Sequence, residues 1–185
     1  MTAARHLSTA ELEAGLEHLL QSPKDHGVLE LIVKRPEVDQ RESVPTARLD
    51  VEQGLIGDNW LARGDWQIAG GPADPDMQLN IMNSRVVSLV ADDPERRGLA
   101  GDQLYLDMDL SYENLPPGTQ LSIGDAVVEV TEPPHTGCKK FAKRFGKDAV
   151  VFVNSGFGKT LNFRGICAKV VQSGDIGVGD VATKV

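Results

Sequence analysis

At 185 residues, with 27 acidic against 19 basic side chains and a formal net charge of -8, the chain is long enough for one domain with a substantial core and too short for two of ordinary size. Its 41% hydrophobic and 25% charged composition is that of a globular protein. No apolar run approaches the ~20 residues of a bilayer span, and the acidic balance argues against nonspecific binding to duplex nucleic acid, which rests on phosphate neutralisation by Lys and Arg.

The first residues lack a basic-then-apolar signal pattern, so a cytoplasmic location without membrane attachment is expected. In a reducing compartment the two cysteines, Cys138 and Cys167, should be free thiols. Ser8-Thr9-Ala10-Glu11 fits a capping box, and Leu12, Leu16, Leu19 and Leu20 follow at helical spacing. This predicts an N-terminal helical extension over 1–26 that ends near Ser22-Pro23. From 27 to 185 the chain reads as one β domain. Extended segments are predicted at Val28–Lys34, Met77–Asn83, Leu104–Asp109, Gln120–Ile123, Ala126–Thr131, Ala149–Val153, Arg164–Gln172 and Val181–Val185.

Gly-Asp pairs punctuate the series at Gly57-Asp58, Gly101-Asp102, Gly124-Asp125, Gly174-Asp175 and Gly179-Asp180. Gly supplies positive φ and Asp bonds its local backbone, so such pairs mark tight turns between strands. Short strands with regular turn signals predict a mainly β fold, a closed or nearly closed β-barrel with a few peripheral short helices. Arg85-Val86-Val87-Ser88-Leu89 starts like a helix, and 63–76, rich in Gly, Pro and Asp, reads as a long loop.

Chemistry concentrates between His135 and Lys147. Five Lys or Arg and no acid fall there in an otherwise acidic chain. Cys138 stands at the start of a predicted helix in which Phe141 and Phe145 share one face and Lys139, Lys140, Lys143 and Arg144 occupy the others. Neighbouring cations and a positive helix end favour thiolate, the form that attacks electrophiles or binds metals. The competing reading is an amphipathic surface helix with a buried cysteine at its entry. Pro133-Pro134 ends the preceding strand and fixes the corner. His135 could be a second ligand, a proton carrier or a turn residue. Structural zinc needs about four ligands, and His135, Cys138 and Cys167 give at most three, which argues against zinc.

Gly156-Phe157-Gly158-Lys159-Thr160 imitates a phosphate loop but has Val153 where that motif needs its first Gly, and a strand is predicted after it instead of a helix. Arg164 can hold two oxygens of an anion at once, or form a salt bridge to an acid. Cys167, in an apolar strand, reads as a core residue. Trp60 and Trp66 could line a substrate mouth, although packing explains them as well.

Taken together, the chain resembles the MOSC domain, found at the C-terminus of molybdenum cofactor sulfurases and as small stand-alone proteins. The resemblance rests on 54–58 (GLIGD), 99–104 (LAGDQL), 115–126 (LPPGTQLSIGDA), 130–138 (VTEPPHTGC), 163–170 (FRGICAKV) and Gly179-Asp180, in that order around one cysteine. It implies a barrel like the pyruvate kinase insert domain and a cysteine, falling on Cys138, that ligates molybdenum or carries sulfur. It implies the molybdenum cofactor (molybdopterin) as the bound anion, to which Lys139, Lys140, Lys143, Arg144, Arg164 and Thr136 would contribute, with His135 and Cys138 as catalytic residues. Relatives reduce N-hydroxylated compounds with electrons from a separate protein, so a small-molecule substrate and an electron-donor partner are expected. The alternative is a non-catalytic sulfur carrier or cofactor-delivery module using a Cys138 persulfide. Pyridoxal phosphate, also associated with the family, belongs to a desulfurase domain that has no counterpart in these residues. The sequence departs from many relatives in having Gly137 instead of Pro before the cysteine. It also has Ala69-Gly70-Gly71 in place of a His-Gly-Gly motif.

Overall fold

The structure is a computed structural model that describes residues 5–65, 68 and 70–185. The capping box forms as predicted, with the Ser8 hydroxyl accepting from Glu11 N and the Glu11 carboxylate accepting from Ser8 N. The helix it opens is interrupted at Gly15, giving α1 (Thr9–Ala14) and α2 (Leu16–Leu20). There follow β1 (Gly27–Lys34), β2 (Glu42–Val44), β3 (Thr46–Asp50), β4 (Gly54–Leu55), α3 (Trp60–Arg63), β5 (Leu79–Asn83), α4 (Ser84–Ala91) and β6 (Leu104–Asp107). The second half holds β7 (Gln120–Ile123), β8 (Ala126–Val130), α5 (Lys139–Phe145), α6 (Lys147–Asn154), α7 (Gly156–Thr160), β9 (Ile166–Gln172), β10 (Gly174–Gly177) and β11 (Val181–Lys184).

Hydrogen bonding runs β11-β7-β8-β9-β5-β6-β1, and β1 pairs back onto β11 through Gly27 with Ala182 and Val28 with Val181. The ring is closed, so the predicted barrel is the observed fold. Closure leaves no free edge along the ring. β2 extends the sheet beside the far end of β1, and β10, β3 and β4 form a separate small sheet. The pairs are antiparallel except β5 with β6, whose parallel register needs a long crossover. That crossover carries α4 and the 3-10 turn Pro94–Ala100.

Alternation along the strands builds two cores. Leu79 and Ile81 of β5, with Leu104 and Leu106 of β6, fill the barrel. The intervening Met82 and Tyr105 face outward into a second apolar layer with Leu12, Leu19, Phe141, Phe145, Phe152 and Phe163. The helices therefore cover one wall of the barrel, and β5 is buried along its whole length.

Some sequence expectations fail locally. Ala149–Val153, predicted as a strand for its three valines, lies within α6. Its buried residues there are Ala149, Phe152 and Val153, a helical spacing that outweighs β propensity once the apolar layer is present. Residues 42–55 and 174–177 carry four short strands that the pattern did not reveal. Gly174-Asp175, expected as a turn, opens β10 and pairs with Leu49 and Arg48. The phosphate-loop imitation is the short helix α7, capped by Ser155, whose hydroxyl accepts from Gly158 N. Trp60 is buried, whereas Trp66 and Ala69 lie outside the described residues.

Gly165, which leads into β9, holds φ +114, and a Cβ there would lie 2.3 Å from the Ile81 carbonyl oxygen. Gly165→Ala is therefore expected to cost roughly 2–3 kcal/mol, seen as a lower urea midpoint at unchanged slope.

Candidate functional site

Residues 131–138 carry the chain from the end of β8 to the start of α5. Their course is set by contact with α6. A Cβ on Gly137 would lie 2.8 Å from Val150 Cγ2. Gly137 N donates to Asn154 Oδ1 at 2.8 Å, and Asn154 Nδ2 donates to Gly137 O at 2.9 Å. A proline here would lose the first bond and meet α6, which accounts for glycine at this position. Cys138 is the N-cap residue of α5, makes no side-chain capping bond and is exposed. The buried-cysteine reading is thereby excluded. Phe141 and Phe145 turn inward as predicted, with centroids 4.9 Å apart.

The cations of this corner do not act alike. Thr136, Lys139, Lys140 and Lys143 are exposed. Lys140 Nζ reaches Asp39 at 3.3 Å, and Arg144 Nη2 reaches the same carboxylate at 3.0 Å. Arg144 Nη1 also donates to the Leu99 carbonyl at 2.7 Å. Arg164 is buried, and its Nη1 donates to both carboxylate oxygens of Asp102 at 2.8 and 2.7 Å. Its Nη2 donates to Ala100 O at 3.0 Å, and its guanidinium lies 5.0 Å over the Phe141 ring. Arg164 thus holds a carboxylate of its own chain.

Asp102 is the centre of this arrangement, and sequence reasoning saw in it only a turn residue. Its side chain is fully buried, and besides Arg164 it bonds His135 Nε2 at 2.8 Å. Burial pushes the Asp102 carboxyl up, but Arg164 and then His135 outweigh it and hold its pKa at about 2. An ionised carboxylate only accepts, so His135 Nε2 carries the proton and Nδ1 is the bare ring nitrogen. Burial, then the Arg164 charge, push His135 below the ordinary histidine value. The hydroxyl of Tyr105 is buried beside Asp102, and burial, with the Asp102 charge, pushes its pKa up.

A second Gly-Asp pair repeats the device. Asp58, also fully buried, accepts from Arg35 Nε and Nη2, each at 2.8 Å, while Arg35 Nη1 donates to Gly101 O at 2.9 Å. The segment Leu99–Asp102 therefore receives Arg35, Arg144, Arg164 and His135. Arg41 joins them: a Cβ built on Gly101 would lie 3.5 Å from Arg41 Nη2 and 3.7 Å from Arg144 Nη1. The Arg41 Nε is buried and, among the described residues, has no hydrogen-bond partner. Burial pushes Arg41 below its ordinary value, with Arg144 and Arg35 adding to it. Neither Arg35 nor Arg41 carries a sequence signal beyond its charge.

Beside the corner lies a cleft of about 240 Å³, lined in part by Tyr112, Leu115, Pro134, His135 and Ile166. Cys138 does not line it. Cys167 borders it but is fully buried; its Sγ accepts from Asn80 Nδ2 at 3.4 Å, and burial, then the Asp102 charge, push the thiol up to about 12. It is a core residue, as its sequence context implied. Among the described residues, no three His, Cys, Asp or Glu side chains are grouped to hold a metal ion, and no helix is long and apolar enough to cross a membrane.

A family model described as the MOSC domain matches residues 73–183. The chain belongs to the MOSC domain family. That family is associated with molybdenum cofactor binding. This MOSC domain is similar in structure to YiiM from Escherichia coli, with TM-score 0.54 and 19% identity over 85% of this chain and 69% of that one. It is also similar to the YUAD protein from Bacillus subtilis, with TM-score 0.57 and 16% identity over 85% and 96%. A third similar structure, described as a hypothetical protein, gives TM-score 0.57 and 19% identity over 90% and 71%. At these identities the likeness is one of fold. No curated protein matches this MOSC domain.

Both His135 and Asp102 bind fewer protons folded than unfolded, so stability rises with pH through their range. On acidification the first loss, below the ordinary histidine value of about 6.5, belongs to His135. The second, between the ordinary aspartate value and about 2, belongs to Asp102. Urea midpoints measured from pH 7.5 to 4.5 are expected to fall in the native protein and to flatten in His135→Gln. Asp102→Asn, which strands the buried Arg164, is expected to cost about 3–5 kcal/mol at neutral pH.

Proposed function

We propose that this MOSC domain binds the molybdenum cofactor at the corner between Cys138 and the Leu99–Asp102 segment, and reduces a small N-hydroxylated substrate with electrons from a separate protein. The observation that carries the reading is an exposed cysteine at the head of a helix tied to a surplus of part-buried positive charge at Arg41 and Arg144. Asp39 links Lys140 and Arg144 of α5 to the loop that holds Arg41, and Arg41 keeps a buried Nε–H that has no acceptor among the described residues. An anionic group seated against Arg41 and Arg144 would satisfy that donor and relieve the repulsion among guanidinium groups. The cofactor's phosphate has that chemistry, so the residues present fit it. Cys138 Sγ would be the protein's ligand to the metal.

Bound there, the cofactor would supply the electron pair that cleaves an N–O bond, with two protons taken up and water released. The protein's part is to deliver protons and hold geometry. His135 would take a proton from water at Nδ1 and pass it to the departing oxygen, while Asp102 holds the ring through Nε2 and stabilises the transient imidazolium. Arg164 fixes Asp102 in turn. Lys139, Lys143 and Thr136, exposed beside the thiol, would guide the anion to its seat.

In protein purified from a cofactor-producing host, Cys138→Ser is expected to lose most of its molybdenum by elemental analysis. Arg41→Gln is expected to weaken pterin retention about tenfold, as loss of a charged hydrogen bond does. Metal loading that does not change on replacing Cys138 would remove it as a ligand.

The exposure of Cys138 also favours a second reading, a sulfur carrier or delivery module with a Cys138 persulfide. Intact-mass measurement separates the two: a carrier shows an added sulfur that reductant removes, and a metal ligand does not.

A further inference from the structure

The Cys138 side chain makes no capping bond to α5, so the backbone sets where its thiol stands. Downstream that backbone is held by the helix, with Ala142 N donating to Cys138 O at 3.0 Å. Upstream it enters through glycine, the residue with the most conformational freedom to lose. Pro133 and Pro134 stiffen the start of the corner but bring no N–H with which to anchor it. Asn154 supplies the hold. Its Oδ1 accepts from Gly137 N at 2.8 Å, and its Nδ2 donates to Gly137 O at 2.9 Å. That N–H belongs to the peptide joining Thr136 to Gly137, and that C=O to the peptide joining Gly137 to Cys138. One amide side chain therefore orients two successive peptide planes, the second of which ends on the Cys138 nitrogen. The bare glycine permits the approach, since a Cβ there would lie 3.2 Å from Asn154 Nδ2 and 3.0 Å from Val153 Cγ2.

Asn154 is delivered by a fixed element. It is the last residue of α6, which stops where the Ser155 hydroxyl donates to Phe152 O at 2.8 Å and accepts from Gly158 N at 2.9 Å to open α7. Phe152 stacks on Phe163 with centroids 5.2 Å apart. Phe163 directly precedes Arg164, which holds Asp102 and through it His135. The two anchors of the 135–138 segment, His135 on Asp102 and Gly137 on Asn154, thus lead back to neighbouring residues of one rigid block.

We propose that Asn154 is a positioning residue of the site: by clamping Gly137 it holds the Cys138 thiol in one place relative to His135. It acts through the backbone and touches no reacting atom. The clamp also explains how a glycine can precede the cysteine without leaving the corner loose. Only its consequence for metal retention rests on the cofactor reading given above. The hold on Cys138 does not.

A thiol-reactive nitroxide on Cys138 of the full-length, metal-free protein tests this by its spin-resonance line shape, the buried Cys167 staying unlabelled. In Asn154→Ala the ratio of ordered to mobile label is expected to fall about tenfold or more, as loss of two hydrogen bonds implies. Asn154→Asp keeps the shape and the acceptor for Gly137 N but sets an oxygen against Gly137 O, so the label should loosen there too. This second variant decides the matter if Asn154→Ala does not fold. Ala149→Gly weakens the same helix from its buried face and is expected to lower the urea midpoint while leaving the label ordered. A label with native order in the Asn154 variants, or one loosened equally by Ala149→Gly, overturns the proposal. In unlabelled protein from a cofactor-producing host, Asn154→Ala should weaken molybdenum retention by up to about tenfold, because a corner that must first be ordered binds less tightly. Native label order in Asn154→Ala, in a protein that loses its metal on Cys138→Ser, overturns the clamp alone. A loosened label in a protein whose loading ignores Cys138 overturns the cofactor reading alone.

Discussion

The buried pair of Asp102 and Arg164 is the interaction on which the rest of this corner depends. A carboxylate and a guanidinium taken out of water each cost several kcal/mol, and their attraction offsets that only when the remaining donors and acceptors are also matched. Here they nearly are. Arg164 donates to both Asp102 oxygens and to the Ala100 carbonyl and stacks on Phe141, and Asp102 also accepts from His135. Those contacts tie together β9, the crossover before β6, helix α5 and the loop that carries Cys138. Removing either charge would leave the other stranded in the apolar layer.

The pair also determines which ring nitrogen of His135 is left free. Asp102 stays ionised, so the histidine tautomer follows, and the ring nitrogen left bare is Nδ1. Arg164 is consumed in this task and does not serve as a free anion receptor. Surplus positive charge is found instead at Arg41, which shares the Leu99–Asp102 backbone with Arg35 and Arg144. The four guanidinium groups at this segment divide into two that balance buried carboxylates, Arg35 and Arg164, and two that do not, Arg41 and Arg144, the latter paired with the exposed Asp39.

Much of the fold was legible in the sequence because it depends on local chemistry. The capping box at Ser8, the alternation in β7 and β8 and the inward phenylalanines of α5 each follow from residue spacing within a few positions. Barrel closure was implied by the turn rhythm. Ala149–Val153 was misread because valine content is a local signal, whereas the helix is stabilised by burial of Ala149, Phe152 and Val153 against a layer assembled from distant segments. The strands at 42–55 and 174–177 are too short for alternation to register; β3, β4 and β10 exist because they pair with one another, and β2 because it pairs with β1.

The site divides in the same way. By itself the sequence determined that Cys138 opens a cationic helix behind a proline-stiffened corner, and that Cys167 belongs to the core, since both follow from neighbours along the chain. Only the tertiary structure decided that Cys138 is exposed while His135, three residues earlier, is anchored inward. It also decided that two Gly-Asp aspartates are buried arginine partners while Asp125 and Asp180 stay at turns and Asp175 enters a strand. The physical reason is that a turn aspartate and a buried one are identical in sequence. What distinguishes them is whether a distant guanidinium and the carboxylate are enclosed together: strand pairing also brings Arg48 to Asp175, but that pair stays exposed, whereas Arg35 with Asp58 and Arg164 with Asp102 are buried.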